Sequence, residues 1–228
     1  MKLYPLVAKL ENKICSFIGG GNLISKKIQD LLNYNIKAFL FAKEVCEELE
    51  NFVKNNSNQI IWKKNVNYEI LLKSYLIFIS DETIQKEEKK IHPNSLSEIQ
   101  SIIKFSEKYS KFVCFIDVPQ YCSFYNTHIY EKGPILISIS TSGTAPVIGN
   151  FIKQKLDSIV TDDLILLTEF LAKFRTKITS QIRNPEKRKE LYQRLLSTDF
   201  ISTLKRNEEE GISILFKYIV EAYTETKE

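Results

Sequence analysis

Three groups of residues have types and spacings that chemistry can use. The first is the run Gly19, Gly20, Gly21, set between an apolar stretch at 13–18 and the helix-like stretch "NLISKKIQDLLNY". A strand that turns through glycines into a helix suits a dinucleotide. The chain must bend sharply and let a pyrophosphate approach backbone N–H groups at the helix N-terminus, and glycine meets both demands. The strict pattern asks for Gly or Ala where this chain has Ile24, and for an acidic residue about 20 positions on, where Lys43 and then Glu44 stand. A bulky Ile24 is expected to hold the helix off the strand. The competing expectation is a glycine-rich turn that binds no dinucleotide. The second group is a single carboxylate, Asp117, at the end of the fifth apolar stretch. Open parallel sheets bind their ligands at that end. Its alternative role is to start the "DVPQ" turn and bond the local backbone. The third is Ser140, Thr141, Ser142 and Gly143, just before Pro146. Such a turn offers hydroxyls and N–H groups to an anion, or else Thr144 caps the helix that follows.

Other chemistries find less support. The four cysteines, at 15, 46, 114 and 122, form no CxxC pair. The two histidines are His92, in the charged stretch "KEEKKIHPN", and His128, read as a packing or surface residue. A fixed metal centre needs three or four clustered ligands, and none is apparent, so no metal site is expected. Lys and Arg (32) exceed Asp and Glu (28) by 4, and no basic block follows a nucleic-acid backbone, so no nucleic-acid partner is expected. No leader pattern and no membrane span of roughly 18 apolar residues is present, which points to a cytoplasmic protein.

The elements that position these groups follow from periodicity. Apolar stretches at 13–18, 36–41, 59–62, 75–80 and 111–117 alternate with helical patterns, including a capping-box start at Ser95 and Glu98. Short, continuous apolar strands separated by helices predict a parallel sheet covered on both faces. After Asp117 the pattern changes to two antiparallel segments broken by Gly133 and Pro134, and beyond Pro146 to helices. Among these, "NPEKRKELYQRLL" has Asn184 as N-cap and Pro185 at the first position. The stripe Leu164, Leu167, Phe170, Leu171, Phe174 and Ile178 reads as core or dimer surface. The fold class expected is α/β: a Rossmann-like parallel-sheet domain (1–116), a small β dimerisation region (117–145) and a helical C-terminal domain (146–228).

Longer stretches resemble one family. "YPLVAKLENKICSFIGGGNLISKKIQDLL", "CFIDVPQYCSFYNTH" and "ILISISTSGTAPVIGNFIKQKLD" are similar to three motifs of the siroheme synthase N-terminal module, the precorrin-2 dehydrogenase/sirohydrochlorin ferrochelatase. Residues in register include Gly19, Gly20, Gly21, Leu23, Lys27, Asp117, Pro119, Cys122, Ser123, Phe124, Ser140, Thr141, Gly143 and Pro146. The departures are Ile24, Cys114, Thr127 and the segment Ser80-Asp81-Glu82, followed by an unusually long stretch (83–110) before the fifth strand.

The resemblance implies NAD-dependent oxidation of precorrin-2 to sirohydrochlorin, followed by insertion of ferrous iron, which is a substrate and not a resident ion. It implies a NAD pocket from Gly19, Gly20, Gly21, Asn22, Leu23, Lys43, Ser80 and Asp81. Asp117 is implied as general acid/base, and residues 140–143 as the dock for the tetrapyrrole. It also implies a homodimer built through the middle β region. The methyltransferase module of longer siroheme synthases has no counterpart here, so methylation would fall to another protein. The departures leave two alternatives open: a chelatase alone, or a non-catalytic tetrapyrrole-binding homologue with a degenerate NAD pocket.

Overall fold

The computed structural model describes residues 3–80, 93–116 and 118–224. The chain divides into two compact units, Met1–Asn126 and Thr127–Glu228.

The first unit holds a five-stranded sheet. Its strands are β1 (Ile14–Ile18), β2 (Lys37–Phe41), β3 (Ile60–Lys63), β4 (Leu76–Ile79) and β5 (Phe112–Phe115). All neighbours run parallel, in the order β3-β2-β1-β4-β5. The helices between them are α1 (Asn22–Leu32), α2 (Glu47–Asn55), α3 (Tyr68–Lys73) and α4 (Pro93–Lys108). Side chains alternate across the sheet, as the two-residue period of a strand requires. Cys15, Phe17, Ala38, Leu40, Leu76, Phe78 and Cys114 share one apolar cluster with Ile24, Ile28 and Leu31 of α1 and Leu49 and Val53 of α2. Phe39, Phe41, Ile77, Ile79, Val113 and Phe115 share the other with Leu71 of α3 and Ile102 of α4. A buried side chain of this size contributes about 1.5–3 kcal/mol, so the double-sided core fixes the sheet.

One polar pair lies inside it. Ser16 Oγ and Ser74 Oγ are 2.7 Å apart, and Ser74 Oγ donates to the Ile70 carbonyl, so both buried hydroxyls are satisfied. Helix α4 begins at Pro93, two residues before Ser95. The expected capping box therefore lies within the helix and not at its start.

The second unit opens with a hairpin, β6 (His128–Lys132) and β7 (Ile135–Ile139), paired antiparallel with Lys132 opposite Ile135. Gly133 takes a positive φ (+54°) at the turn, and a side chain there would meet Ile165 Cγ2 at 2.7 Å. Along β7 the isoleucines Ile135, Ile137 and Ile139 are half-buried while Leu136 and Ser138 are exposed, as the alternation predicts. Five helices follow: α5 (Pro146–Ile159), α6 (Asp162–Gln181), α7 (Pro185–Leu195), α8 (Thr198–Arg206) and α9 (Glu208–Thr224). Their core gathers Leu167, Phe170, Ile178, Leu191, Leu195, Phe200, Leu204, Leu215 and Ile219. Thr161, Asn184 and Ser197 cap α6, α7 and α8 with side-chain oxygens that accept from Leu164, Glu186 and Phe200 N–H. Among the described residues no helix is long and apolar enough to cross a membrane.

Candidate cofactor site

In the order β3-β2-β1-β4-β5 the connections diverge between β1 and β4. Open α/β sheets bind ligands in the crevice at the carboxyl ends of the strands on either side of such a point. Three backbone bonds carry the ladder one step past the strand ends: Gly19 N–H to Phe41 O (3.0 Å), Ser80 N–H to Ile18 O (2.9 Å) and Ile116 N–H to Ile79 O (2.8 Å). Gly19, Ser80 and Ile116 therefore leave the sheet at the same edge.

The glycine turn is held from both sides. Gly19 adopts φ +126°, and a side chain on it would collide with the Ser80 carbonyl. Gly20 lies against the Glu44 carbonyl, so closely that no Cβ fits, and its own carbonyl accepts from Cys46 N–H at 2.7 Å. Gly21 is the N-cap of α1, in extended conformation, and has no side chain of its own to cap the helix. The turn thus delivers a helix N-terminus to the crevice, the arrangement that favours an anion. Ile24 does not stand in the mouth. It is fully buried, with its side chain in the cluster that joins α1 to the sheet. Its bulk is thereby absorbed by the helix–strand contact.

Ser80 supplies the second sign of a ligand. It is 6 % exposed, and its hydroxyl finds no hydrogen-bond partner among the described residues. Leaving a buried hydroxyl unpaired costs about 1–3 kcal/mol. A bound polar group in the crevice would remove that cost. The glycine cradle at the start of α1 and the orphaned hydroxyl together fit a dinucleotide.

The remaining expected residues are distributed as follows. Asn22 and Leu23 form the first turn of α1, and Lys43 is exposed just past the end of β2. Lys27, one turn further along α1, sets its ammonium 5.8 Å from the Phe78 ring centroid and 3.6 Å from Asp30 Oδ2. Asp81, His92 and Asp117 lie outside the described residues. The clamp formed by the Glu44 carbonyl and the Cys46 N–H was not legible beforehand, because both groups are backbone and carry no residue-type signal.

Residues 140–143 belong to the second unit. Ser142 (φ +53°) and Gly143 (φ +78°) make a left-handed turn. Ser142 N–H donates to Ser140 Oγ at 3.1 Å. Thr144 does not cap α5. Its hydroxyl donates backwards to the Thr141 carbonyl at 2.6 Å, and the N-cap residue is Ala145, with no side-chain cap. Thr144 is therefore not the capping residue of this helix. Pro146 occupies the first turn, as its missing N–H allows. His128 packs beneath Gly149 of α5, where any side chain would strike the imidazole. Among the described residues no three His, Cys, Asp or Glu side chains stand close enough to hold a metal ion.

Comparison with known proteins fits this geometry. Residues 6–128, more than half of the chain, match the family described as "Putative NAD(P)-binding". The siroheme synthase of Mannheimia succiniciproducens is 25% identical over 212 residues, which is 92% of this chain and 42% of that protein. The siroheme synthase of Baumannia cicadellinicola is 27% identical over 200 residues (88% and 40%). That of Pseudoalteromonas translucida is 23% identical over 225 residues (99% and 45%). The chain thus spans about two fifths of the length of these curated relatives. Among solved structures, SirC, a precorrin-2 dehydrogenase, shares the fold with a TM-score of 0.64 at 19% identity, covering 95% of this chain and 100% of its own. The chain belongs to this NAD(P)-binding family, and over nearly its whole length it is similar to part of the siroheme synthases.

Proposed function

We propose that this chain oxidises precorrin-2 to sirohydrochlorin with NAD as acceptor, and then inserts ferrous iron to give siroheme. The observation that carries this reading is the glycine elbow at the β1–β4 divergence, with the buried Ser80 hydroxyl that finds no partner among the described residues. The names borne by the relatives supply the substrate class. Backbone groups of Gly19, Gly20 and Gly21, with Asn22 and Leu23 at the helix start, hold the pyrophosphate. Ser80 gives its hydroxyl to the cofactor, Asp81 adds to the same pocket, and Lys43 at the end of β2 meets the ribose end. Bound there, the nicotinamide supplies a hydride acceptor.

Asp117 follows Ile116 at the end of β5 and takes the proton that leaves with the hydride. The same carboxylate then accepts pyrrole protons as iron enters the ring. A single carboxylate suits that second task, because it does not trap the metal as a cluster of ligands would. Ser140, Thr141, Ser142 and Gly143 hold the carboxylates of the macrocycle. The chain works as a homodimer joined through the β6–β7 region and the exposed apolar side of α5, where Val147, Ile148, Phe151 and Ile152 stand open.

Calorimetric titration with NAD, followed by turnover of precorrin-2 and metallation of sirohydrochlorin, tests the reading. NAD should bind, and Asp117→Asn should slow both reactions by about 100-fold or more, the usual worth of a positioned acid/base. Wild-type rates in that variant would remove Asp117 from its role. Metallation without NAD affinity would leave a chelatase alone, and porphyrinoid binding without turnover would leave a carrier.

A further inference from the structure

We propose that Cys114 and Cys122 form a peroxide-reactive thiol pair that closes to an intramolecular disulfide. Cys114 lies on β5, buried among the residues that pack under α1. After Ile116 the chain makes a short 3-10 turn, Pro119–Tyr121, and folds back along its own strand. Ser123 fixes the return: its hydroxyl accepts from Val113 N–H at 2.7 Å, and its N–H donates to the Val113 carbonyl at 2.8 Å. This fold-back sets Cys122 against the same apolar cluster and beside Cys114, with Cys122 Sγ also donating to the Phe115 carbonyl at 3.2 Å. Asn126 Nδ2 reaches Cys114 Sγ at 3.5 Å from the other side. Cys122 is only half-buried, and it is among the residues lining a cavity of about 410 Å³ with Ile103, Ser106 and Tyr121.

The two sulfurs are unequal. Interaction with the Cys114 thiol brings the Cys122 thiol down to about 7, against the opposing effect of burial. The same interaction, with burial, pushes Cys114 well up, and nearby Lys27 only partly offsets this. Cys122 is therefore the nucleophile near neutral pH, because the thiolate is the reactive form. Cys15, pushed up to about 11 by burial, stays inert.

The step balances with hydrogen peroxide as oxidant. The Cys122 thiolate attacks one peroxide oxygen and the O–O bond breaks, giving a sulfenic acid and a hydroxide that takes a proton from solvent. Cys114 sulfur then attacks Cys122 sulfur and the S–O bond breaks. The departing hydroxide takes the Cys114 proton as water. Two thiols lose two electrons, and one peroxide becomes two waters. The bond would tie β5 to the residue that follows the turn, across the stretch of sequence that carries Asp117. Its formation does not depend on which reaction the chain catalyses.

The test treats the full chain with hydrogen peroxide near neutral pH, blocks remaining thiols with N-ethylmaleimide, and maps peptides without reduction. The expected product joins the Cys114 and Cys122 peptides, lighter by two hydrogen atoms, and dithiothreitol separates them. Cys15 should be found blocked and unoxidised. Cys114→Ser should stop at a sulfenic acid on Cys122 that dimedone captures, whereas Cys122→Ser should leave Cys114 a free thiol. Before oxidation, iodoacetamide labelling of Cys122 should rise as pH passes through 7 and not through the ordinary thiol range. Both cysteines remaining free after peroxide, or Cys122 joined instead to Cys46 or to a second chain, would overturn the proposal. The wild-type peptide map decides the matter even if a variant fails to fold.

Discussion

The carbonyl of Glu44 occupies the space where a side chain on Gly20 would begin, and Cys46 N–H donates to the Gly20 carbonyl at 2.7 Å. The loop that leads into α2 is thereby locked onto the glycine turn. Neither partner can yield easily, since both are backbone. Gly20→Ala should lower stability by about 1–3 kcal/mol, the usual cost of forcing atoms into filled space, and should weaken NAD binding with it. Gly143 offers the contrast. Its φ is +78°, yet a Cβ there meets nothing within 4 Å. Gly143→Ala should cost only the backbone strain, about 1–2 kcal/mol, and leave NAD binding unchanged. Thermal unfolding and NAD calorimetry of the two variants check both statements. Equal NAD affinity in Gly20→Ala would show that the turn does not position the cofactor.

Ser80 allows a test in which stability and binding move in opposite directions. Its buried hydroxyl has no partner among the described residues. Ser80→Ala removes an unpaired polar group, so the free protein should be unharmed, or more stable by about 1 kcal/mol. If the hydroxyl is reserved for the cofactor, the same change should weaken NAD by about 2–10-fold, the worth of one net hydrogen bond. Denaturant melts with and without NAD read both quantities. A variant that melts earlier when free and binds NAD as before would contradict the assignment.

The elements of the first unit were legible because their residue types agree with their environment. Strands buried on both faces read as apolar runs; β1, β2, β4 and β5 each fall within the expected stretch, and β3 overruns its stretch by one residue, Lys63. Ile24 was legible only in part. Its type departs from the small residue of the dinucleotide pattern, but the sequence does not say toward which side the residue turns. In the fold it faces the core. Helix α8 (Thr198–Arg206) was not separated from its neighbours, because "STDFISTLKR" follows α7 with only Leu196 and Ser197 between them. Ser197 acts as the new cap, and a serine in a polar run gives that signal weakly. Thr144 misled for a related reason. A hydroxyl beside a helix start has a choice of partners, and here the Thr141 carbonyl takes it. The Glu44–Gly20 contact and the Cys114–Cys122 pair join residues that only tertiary folding brings together.

His128 and Gly149 form a second close pair, this one within the unit that begins at Thr127. A side chain at Gly149 would strike the imidazole ring at Cδ2 and Nε2. Glycine inside a helix costs about 0.5–1 kcal/mol relative to alanine, so its presence near the start of α5 reflects the histidine. Gly149→Ala should destabilise the protein. In the His128→Ala background the same substitution should become stabilising by about 0.5–1 kcal/mol. That reversal of sign is measured by a double-mutant cycle in denaturant. Additive effects would mean that the ring moves aside freely.

The exposed side of α5 calls for a partner of like character. Val147 is 79% exposed and Phe151 58%, four residues apart on one helix, with Ile148 and Ile152 beside them. Four adjacent apolar side chains in water forfeit burial worth about 1.5–3 kcal/mol each. A helix that follows the β6–β7 hairpin directly in the fold is well placed to extend an interface between two copies. Phe151→Glu together with Val147→Glu puts two like charges, one helical turn apart, at the centre of that surface. If two copies meet there, each charge must lose water without a partner, which costs several kcal/mol. If the interface lies there, the wild-type chain should sediment as a dimer and the double variant, at the same concentrations, as a monomer. Its thermal unfolding should become independent of protein concentration, because linkage to a second subunit makes the melting temperature rise with concentration. A dimer of unchanged affinity in the double variant would move the interface away from α5.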